Sequence, residues 1–275
     1  MRIGKELRRG FGKSIVVVLG ALLITTLGVG AFDTYYVGTD GLVAQLLSGR
    51  SGAACPSGMV EVLTASTFRC IDSYEAAPGV ACPHRSVRSA VQTRENLAAE
   101  GCQPVSVSGA EPWVHITRAE AAAACARSGK RLPDAGEWYQ VALGLVNISD
   151  CLVRATGPQL TGTAPQCRTT DGVYDLVGNV WEWVADDVWA GSYNGRLLPA
   201  AGYVQSVDRD GMPVATAATP AVEFTGAYWY GAEGEATALL RGGFFGSGND
   251  ASIYTTHGNV TATTTTGGIG FRCVR

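Results

Sequence analysis

The sequence is poor in charge, since only 16% of its 275 residues are charged while 46% are hydrophobic. Intrinsic disorder and coiled coils need more charge and less apolar content, so both are excluded. The net charge is −3 overall and +4 over residues 1–32, so residues 33–275 carry −7. An acidic body of this size repels phosphate backbones, which argues against nucleic acid as a partner.

Charge is absent from residues 15–32, an eighteen-residue run that follows five basic residues. Such a run predicts one membrane-spanning helix, with residues 1–14 in the cytoplasm. Residues 33–54 are then a linker rich in small residues, and residues 55–275 form an extracytoplasmic domain. The alternative is a signal peptide cleaved near the small residues Val29-Gly30-Ala31, which would secrete the domain.

The sequence lacks a Cys-x-x-Cys motif, which removes the usual signature of a zinc site or a redox pair. All eight cysteines lie beyond the hydrophobic run, and their even number favours structural disulfides in an oxidising compartment. Local spacing favours three of the pairs without fixing the connectivity. These pairs are Cys55 with Cys70, Cys82 with Cys102 and Cys151 with Cys167, with Cys125 and Cys273 left over.

Two helices are marked by capping boxes, in which a side chain at the helix start and a glutamate three residues later bond to each other's backbone amides. Thr117 with Glu120 precedes a helix predicted over 119–126, and Asp134 with Glu137 precedes one over 138–143. Short strands are predicted at 59–63 and 68–71. Residues 76–112 are predicted to be mostly loop, and residues 189–236 a surface excursion without regular period.

Four segments, in this order, resemble the formylglycine-generating enzyme family, also called the sulfatase-modifying factor family. They include Phe68-Arg69-Cys70-Ile71-Asp72, Gly129-Lys130-Arg131-Leu132-Pro133, Gly178-Asn179-Val180-Trp181-Glu182-Trp183, and Leu240-Arg241-Gly242-Gly243 with Gly270-Phe271-Arg272-Cys273. The resemblance spans roughly residues 57–275. It implies an α+β, C-type-lectin-like fold with two helices, small twisted sheets and much irregular chain. It also implies a disulfide between Cys125 and Cys273.

The family is known for an oxidase that binds copper through two cysteines, and the matching positions here are Ser247 and Ser252. A hydroxyl is neither a soft copper ligand nor a thiolate nucleophile, so we expect no catalytic cofactor and no catalysis of this kind. Related enzymes hold iron with histidines, but the three histidines here are scattered. An enzyme with altered chemistry stays an alternative, with Asp186, Asp187 and Arg241 as its candidate residues.

The resemblance also implies a structural calcium ion at the Gly-Asn-x-Trp-Glu motif. The implied ligands are the carboxylates of Asp175 and Glu182 and the carbonyl oxygens of Gly178 and Val180, since Ca²⁺ prefers oxygen donors. The alternative interpretation is that Asp175 is a turn residue and that Glu182 is a buried hydrogen-bond acceptor.

Residues 244–269 contain no Lys, Glu, Gln, Met or Trp, although these types make up 31 of the 275 residues. About three would be expected from composition. These five types cannot arise when the first two bases of an Asn codon ending in a pyrimidine are randomised. Together with the flanking Arg-Gly-Gly and Gly-Phe-Arg, this pattern resembles the variable region of diversity-generating retroelement target proteins. The resemblance implies a variable ligand-binding segment over 244–269.

We therefore predict a non-catalytic display protein that binds an extracellular ligand, a protein or a cell-surface molecule. A fixed-specificity envelope adhesion module is the further alternative. Aromatic side chains would provide contact area and small polar ones adaptable hydrogen bonds, as in antibody paratopes. The aromatic residues are equally open to a core interpretation. The predicted ligand-binding residues are Phe244, Phe245, Ser247, Asn249, Asp250, Ser252, Tyr254, Thr256, His257, Asn259 and Thr261.

Overall fold

The structure, a computed structural model, describes residues 55–63, 65 and 67–275. The predicted cytoplasmic segment, membrane span and linker (residues 1–54) lie outside these residues. In the part of the chain that is described, no helix is long and apolar enough to cross a membrane. Residues 55–275 form one compact unit.

Three α-helices are present in the described residues: α1 (Ala90–Ala98), α2 (Arg118–Arg127) and α3 (Ala135–Ala142). Both predicted capping boxes are confirmed, at the starts of α2 and α3. After α2 the chain turns at Gly129, which has a φ of 67° that favours glycine. The predicted α+β class is consistent with this architecture.

Helix α1 is a correction, because residues 76–112 were predicted to be mostly loop. Its inward-facing residues are the polar Thr93 and Asn96, so the apolar periodicity of a helix is absent. The Thr93 hydroxyl donates to the Val114 carbonyl and accepts the Trp113 indole N–H. The Asn96 amide exchanges two hydrogen bonds with the backbone of His84. These hydrogen bonds therefore hold the helix in place together with Leu97, which packs against an apolar cluster.

The strands form one large sheet and two small two-stranded sheets. In chain order the strands are β1 (Met59–Glu61), β2 (Cys70–Asp72), β3 (Ala77–Pro78), β4 (Pro104–Val105), β5 (Trp181–Trp189), β6 (Ser192–Tyr193), β7 (Arg196–Leu197), β8 (Gly202–Val207), β9 (Pro213–Ala217), β10 (Tyr228–Trp229), β11 (Ala236–Arg241), β12 (Thr256–Val260) and β13 (Ile269–Gly270). The pairs β1–β2 and β3–β4 are antiparallel, and α1 lies between β3 and β4 in the chain. The large sheet has the order β7-β6-β5-β11-β12-β10-β8-β9, with β13 parallel to β5.

The prediction of only small sheets is therefore wrong, and so is the surface excursion over 189–236. Strands β6 to β10 lie in that stretch and extend the large sheet. Val204, Met212 and Trp229 are buried there. The strands are short, interrupted by turns, and exposed on one side, so their alternation is too brief to read from the sequence.

Apolar clusters cover both faces of the central strands. Along β11, Leu239 belongs to the cluster that contains Trp138 of α3, and Leu240 to the cluster that contains Cys125 of α2. Trp183 and Val184 of β5 divide in the same way, as expected when successive side chains point to opposite faces. The sheet is thus packed between helices α2 and α3.

All eight cysteines are paired, as Cys55–Cys70, Cys82–Cys102, Cys125–Cys273 and Cys151–Cys167. These are the three pairs that local spacing favours and the one that the family resemblance implies. The Cys125–Cys273 bond joins α2 to the end of the chain across 148 residues. It thereby fixes the chain immediately after Arg272.

A buried ion pair joins the C-terminal segment to β5. Both Arg272 and Glu182 are at most 1% exposed. Arg272 Nη2 lies 2.6 Å from Glu182 Oε1, and Arg272 Nε lies 2.8 Å from both carboxylate oxygens. The Trp138 indole N–H of α3 donates to Glu182 Oε2 at 2.7 Å. Arg272 also donates to the carbonyls of Asp72 and Tyr174, so one guanidinium joins four parts of the chain.

We expect Arg272→Met to destabilise the protein more than Glu182→Gln does. Removing one partner of a buried ion pair costs about 3–5 kcal/mol. Arg272 also faces the buried acids Glu75 and Asp175. Burial by itself lowers the pKa of the Arg272 guanidinium, but Glu182, Glu75 and Asp175 outweigh burial and raise this pKa. Its loss therefore leaves three acids without a cation. Urea unfolding of the full chain with intact disulfides measures the difference.

The matched control is Glu61→Gln, the same chemical change at the half-exposed pair with Arg69. We expect it to cost less than about 1 kcal/mol. Equal losses for Glu182→Gln and Glu61→Gln would contradict the importance assigned to the buried pair.

Candidate ligand-binding site

Both ends of the segment 244–269 are attached to the same end of β5. Arg241, just before the segment, is opposite Glu182, and Ile269, at its end, is opposite Trp181. Within the segment, β12 pairs with β11. The Phe245 amide donates to the Asn179 carbonyl, so the Gly-Asn-x-Trp-Glu motif also holds this segment. The segment is therefore fixed to the sheet at three places.

The Arg-Gly-Gly motif makes the turn into this segment. Gly242 has a φ of 90°, and a Cβ there would lie 2.2 Å from the Leu176 carbonyl oxygen. Gly243 has a φ of 86°, and its Cβ would lie 2.8 Å from that of Ala251. Only glycine fits these conformations and close approaches without strain.

A pocket of about 680 Å³ opens beside this segment. Phe244, Phe245 and His257, three of the predicted ligand-binding residues, line it. Trp181 and Tyr230 line it as well and were not predicted to do so. Trp181 lies in the Gly-Asn-x-Trp-Glu motif. Because side chains alternate along a strand, the sequence indicates that Trp181 and Glu182 point to opposite faces of β5. Tyr230 had no such signal, because it becomes a neighbour of His257 only through sheet pairing.

The rings in this pocket meet in two orientations. The Tyr230 and His257 rings stack with centroids 4.9 Å apart and planes 11° apart. Trp181 is nearly perpendicular to both, at 5.8 Å from Tyr230 and 5.7 Å from His257. Phe244 is nearly parallel to Trp181, with centroids 6.4 Å apart. The pocket thus has aromatic walls on more than one side.

His257 is held in its neutral form. Burial lowers the pKa of its imidazole to about 4. The Asn259 amide N–H donates to His257 Nδ1 at 3.2 Å, which requires that this nitrogen carry no proton. The ring is therefore an uncharged aromatic surface at neutral pH.

The other predicted ligand-binding residues separate into exposed and structural ones. Asn249, Asn259 and Thr261 are exposed, and Ser247 and Asp250 are half-buried. Ser252 and Thr256 are fully buried, so their predicted contact role is wrong.

The buried hydroxyls have partners inside the protein. Ser252 Oγ lies 2.7 Å from Thr225 Oγ1, and Arg241 Nη1 donates to Thr256 Oγ1 at 2.7 Å. Tyr254 packs against Tyr139 and Phe224, with centroids 5.8 and 5.0 Å away, which favours the core interpretation for this residue.

Of the three candidate residues of the enzyme alternative, Asp186 and Arg241 lie close together because both bond to the backbone of Ala135, whereas Asp187 does not join them. Arg241 is fully buried and donates to the carbonyls of Gly211 and Ala135. Asp186 accepts the Ala135 amide, and burial raises the pKa of its carboxyl. Asp187 points to the other face of β5, where it pairs with Arg118.

The implied calcium ligands do not fit a calcium ion in this arrangement. Both oxygens of Glu182 accept hydrogen bonds from Arg272, so a cation there would face a guanidinium. Asp175 Oδ2 accepts the Gly162 amide, while Oδ1 is buried without a hydrogen-bond partner. Burial raises the pKa of Asp175 to about 6. The alternative interpretation, with Glu182 as a buried acceptor, agrees with the geometry.

The sequence comparisons agree with the family resemblance for the C-terminal part of the chain. Residues 162–275, less than half of the chain, match the model of the sulfatase-modifying factor enzyme 1-like domain. The inactive C-alpha-formylglycine-generating enzyme 2 of Bos taurus is 31% identical over 121 residues, which cover 35% of this chain and 40% of that protein. The Mus musculus protein of the same name is 29% identical, covering 35% and 39%. The chain thus spans about two fifths of these relatives.

Solved structures with similar folds share little sequence with this chain. The Major Tropism Determinant I1 variant has a TM-score of 0.45 and 17% identity, covering 80% of this chain and 52% of that one. PvdO from Pseudomonas aeruginosa has a TM-score of 0.45 and 16% identity, covering 79% and 90%. Treponema denticola variable protein 1 has a TM-score of 0.43 and 13% identity, covering 81% and 92%.

We expect Thr256→Val to destabilise the protein by about 1–3 kcal/mol, because it leaves a buried N–H of Arg241 without an acceptor. Arg241 Nε already has no hydrogen-bond partner, so the variant would leave a second N–H of this buried guanidinium without an acceptor. Thr261→Val is the matched control at an exposed threonine, and we expect a change within about 0.5 kcal/mol. Urea unfolding of both variants measures this difference, and equal effects would contradict the division into structural and exposed positions.

We expect acid to destabilise the protein partly through His257. The unfolded chain binds a proton at this residue below its ordinary pKa of 6.5, but the folded protein does so only near pH 4. Stability therefore falls as the pH drops through this window, by at most about 3 kcal/mol from this residue. In His257→Gln the difference in unfolding free energy between pH 7 and pH 4.5 should shrink. An unchanged difference would contradict a neutral, buried imidazole.

Proposed function

Residues 162–275 carry a sulfatase-modifying factor enzyme 1-like domain, and from this premise we propose that the protein is a non-catalytic ligand-binding protein. The single observation that carries the proposal is the aromatic pocket beside a segment held to the sheet at both ends. Pockets of this size with apolar walls and few polar groups are typical of ligand sites. Side chains on a loop with fixed ends can change at little cost to the core.

The absence of the family's thiol chemistry supports a binding role. By the family resemblance, Ser247 and Ser252 match the positions of the copper-binding cysteines. All eight cysteines present are consumed by disulfides. The curated relatives are named as inactive formylglycine-generating enzymes, which is in keeping with a chain that retains the domain and not the reaction.

The four disulfides support an extracytoplasmic domain, because such bonds persist in oxidising compartments. We propose that residues 15–32 attach this domain to a membrane, with secretion after cleavage as the alternative. The ligand is then an extracellular protein or cell-surface molecule. We further propose that residues 244–269 diversify through a retroelement. A near-repeat of the codons for residues 240–275, differing only at adenines and lying beside a reverse-transcriptase gene, would support diversification.

Two matched libraries test the binding function. One randomises the pocket and exposed positions Phe244, Phe245, Asn249, His257 and Asn259, and the other the buried Ser252, Thr255 and Thr256. We expect the first library to yield mostly folded, secreted variants and, by selection on an immobilised target protein such as lysozyme, specific binders. We expect the second library to yield mostly unfolded protein, because each buried hydroxyl has a hydrogen-bond partner.

Equal folding yields in the two libraries, or no binder from the first, would contradict a display function. The enzyme alternative is tested separately by adding copper(I) and oxygen to the wild-type protein with a cysteine peptide. Turnover of the peptide cysteine would overturn the non-catalytic proposal.

A further inference from the structure

The aromatic pocket is lined without a formal charge. In the described part of the chain its lining contains no lysine, arginine, aspartate or glutamate, and its only histidine, His257, is uncharged at neutral pH. Moving an ion from water into such a site is costly, because no lining group balances its charge. The pocket therefore favours a neutral ligand over a cation or an anion.

One hydrogen-bond donor of this pocket has no partner in the protein. Trp181 lines the pocket and is only 6% exposed, and its indole N–H makes no hydrogen bond within the described residues. The unpaired side-chain atoms that are sealed from solvent there are Asp175 Oδ1, Thr237 Oγ1 and Arg241 Nε, so the Trp181 nitrogen is accessible. The small accessible part of Trp181 thus includes its N–H group.

The other buried tryptophans differ from Trp181 in this respect. A buried indole N–H normally has an acceptor, because leaving it unpaired costs free energy. Each of the four others donates inside the protein: Trp113 to Thr93, Trp138 to Glu182, Trp183 to the Ile116 carbonyl and Trp229 to the Pro199 carbonyl. Among the buried indoles of the described residues, that of Trp181 is the one whose donor a ligand can use.

His257 provides a second donor. Its Nδ1 accepts the Asn259 amide N–H, so the neutral imidazole carries its proton on Nε2. This Nε2–H also makes no hydrogen bond to any residue that the structure describes, and His257 lines the same pocket. The ring centroids of His257 and Trp181 are 5.7 Å apart. Two N–H donors without acceptors therefore belong to neighbouring rings of one pocket.

A carbonyl oxygen is the acceptor that suits these two donors. It has two lone pairs, so it can accept from both N–H groups without bringing a charge into the pocket. A carboxylate would bring a charge that no lysine or arginine of the lining balances. The volume of about 680 Å³ exceeds that of a carbonyl group, so an apolar substituent also fits, against the aliphatic side chains of Leu240, Val260 and Ile269.

We propose that the pocket binds a neutral amide with an apolar substituent, whose carbonyl oxygen accepts hydrogen bonds from Trp181 Nε1–H and His257 Nε2–H. This assignment rests on the proposed binding function and names the chemistry of its ligand. The two donors fix the position of the amide, and the apolar walls provide the contact area for its substituent.

Three probes with the same cyclohexyl body separate the acceptor from the charge. N-methylcyclohexanecarboxamide is a neutral amide, cyclohexanecarboxylate is an anionic acceptor, and cyclohexylmethylammonium is a cation without an acceptor. In calorimetric titrations of the full chain at neutral pH, we expect the amide to bind about tenfold more tightly than either ion, because each ion would lose its hydration in an uncharged pocket.

The Trp181 indole signal reports the hydrogen bond directly in the wild-type protein. The chain has six tryptophans, and the Trp181 signal in a proton–nitrogen correlation spectrum is identified by its loss in Trp181→Phe. We expect this indole proton to exchange with water faster than those of the four paired tryptophans. It should shift downfield when the amide is added, while the signals of the paired tryptophans stay in place.

Two variants remove one donor each and keep an aromatic ring. Trp181→Phe and His257→Phe should each weaken amide binding by about two- to tenfold, which corresponds to one hydrogen bond. Trp189→Phe, the same change at an exposed tryptophan at the other end of β5, is the control and should leave the affinity unchanged. Urea unfolding verifies that each variant is folded, and the wild-type spectra test the proposal if a variant is not.

Equal affinity for the three probes would overturn the amide assignment, as would the absence of amide binding at millimolar concentrations. Amide binding that leaves the Trp181 indole signal in place would overturn it as well. Any of these results would leave the proposed binding function standing if the pocket library described above still yields binders. Failure of that library in addition would reject both.

Discussion

The contact between Arg272 and Glu182 is the interaction on which the rest of the domain depends. Taking two charges out of water is costly, and the cost is offset only when every donor and acceptor is matched. Here the guanidinium donates to the Glu182 carboxylate and to the carbonyls of Asp72 and Tyr174. The Trp138 indole N–H donates to the same carboxylate. The end of the chain, hairpin β1–β2, helix α3 and strand β5 are thereby fixed to one point. The Cys125–Cys273 disulfide adds a covalent bond to α2 one residue further on.

Under the proposed function, this attachment allows the segment over residues 244–269 to vary without unfolding the protein. Residues 244–269 leave the sheet beside Glu182 and return to it beside Trp181. Pairing with β5 therefore holds both ends of the segment in place. Within it, the structural positions Ser252 and Thr256 face the protein, and Asn249, Asn259 and Thr261 face solvent. Phe244 and His257 lie between these groups, on the pocket wall. The segment therefore separates buried residues that stabilise the fold from exposed and pocket-lining residues, which is the arrangement that the proposed binding function needs.

The sequence predicted those parts of the molecule that are encoded locally. The capping boxes at Thr117 and Asp134 satisfy amides within four residues, and both are confirmed. Helix α1 could not be predicted, because its buried residues bond to His84 and Val114, which the sequence does not place nearby. The residues that line the pocket divide in the same way. Phe244, Phe245 and His257 lie in a recognisable segment, whereas Tyr230 becomes their neighbour only through long-range sheet pairing.

Ser247 and Ser252, which match the family's copper-binding cysteines by the resemblance, both have structural hydrogen bonds. Ser252 is buried, and its hydroxyl hydrogen-bonds the Thr225 hydroxyl and accepts the Tyr254 amide N–H, so this side chain has a structural role. Position 247 has a parallel role, since its hydroxyl accepts the Phe244 amide and fixes the turn that presents this ring to the pocket. A thiol is a weak hydrogen-bonding group and would serve both turns less well. The two serines therefore hold the aromatic segment in its conformation, which is the structural role that the proposed binding function assigns to them.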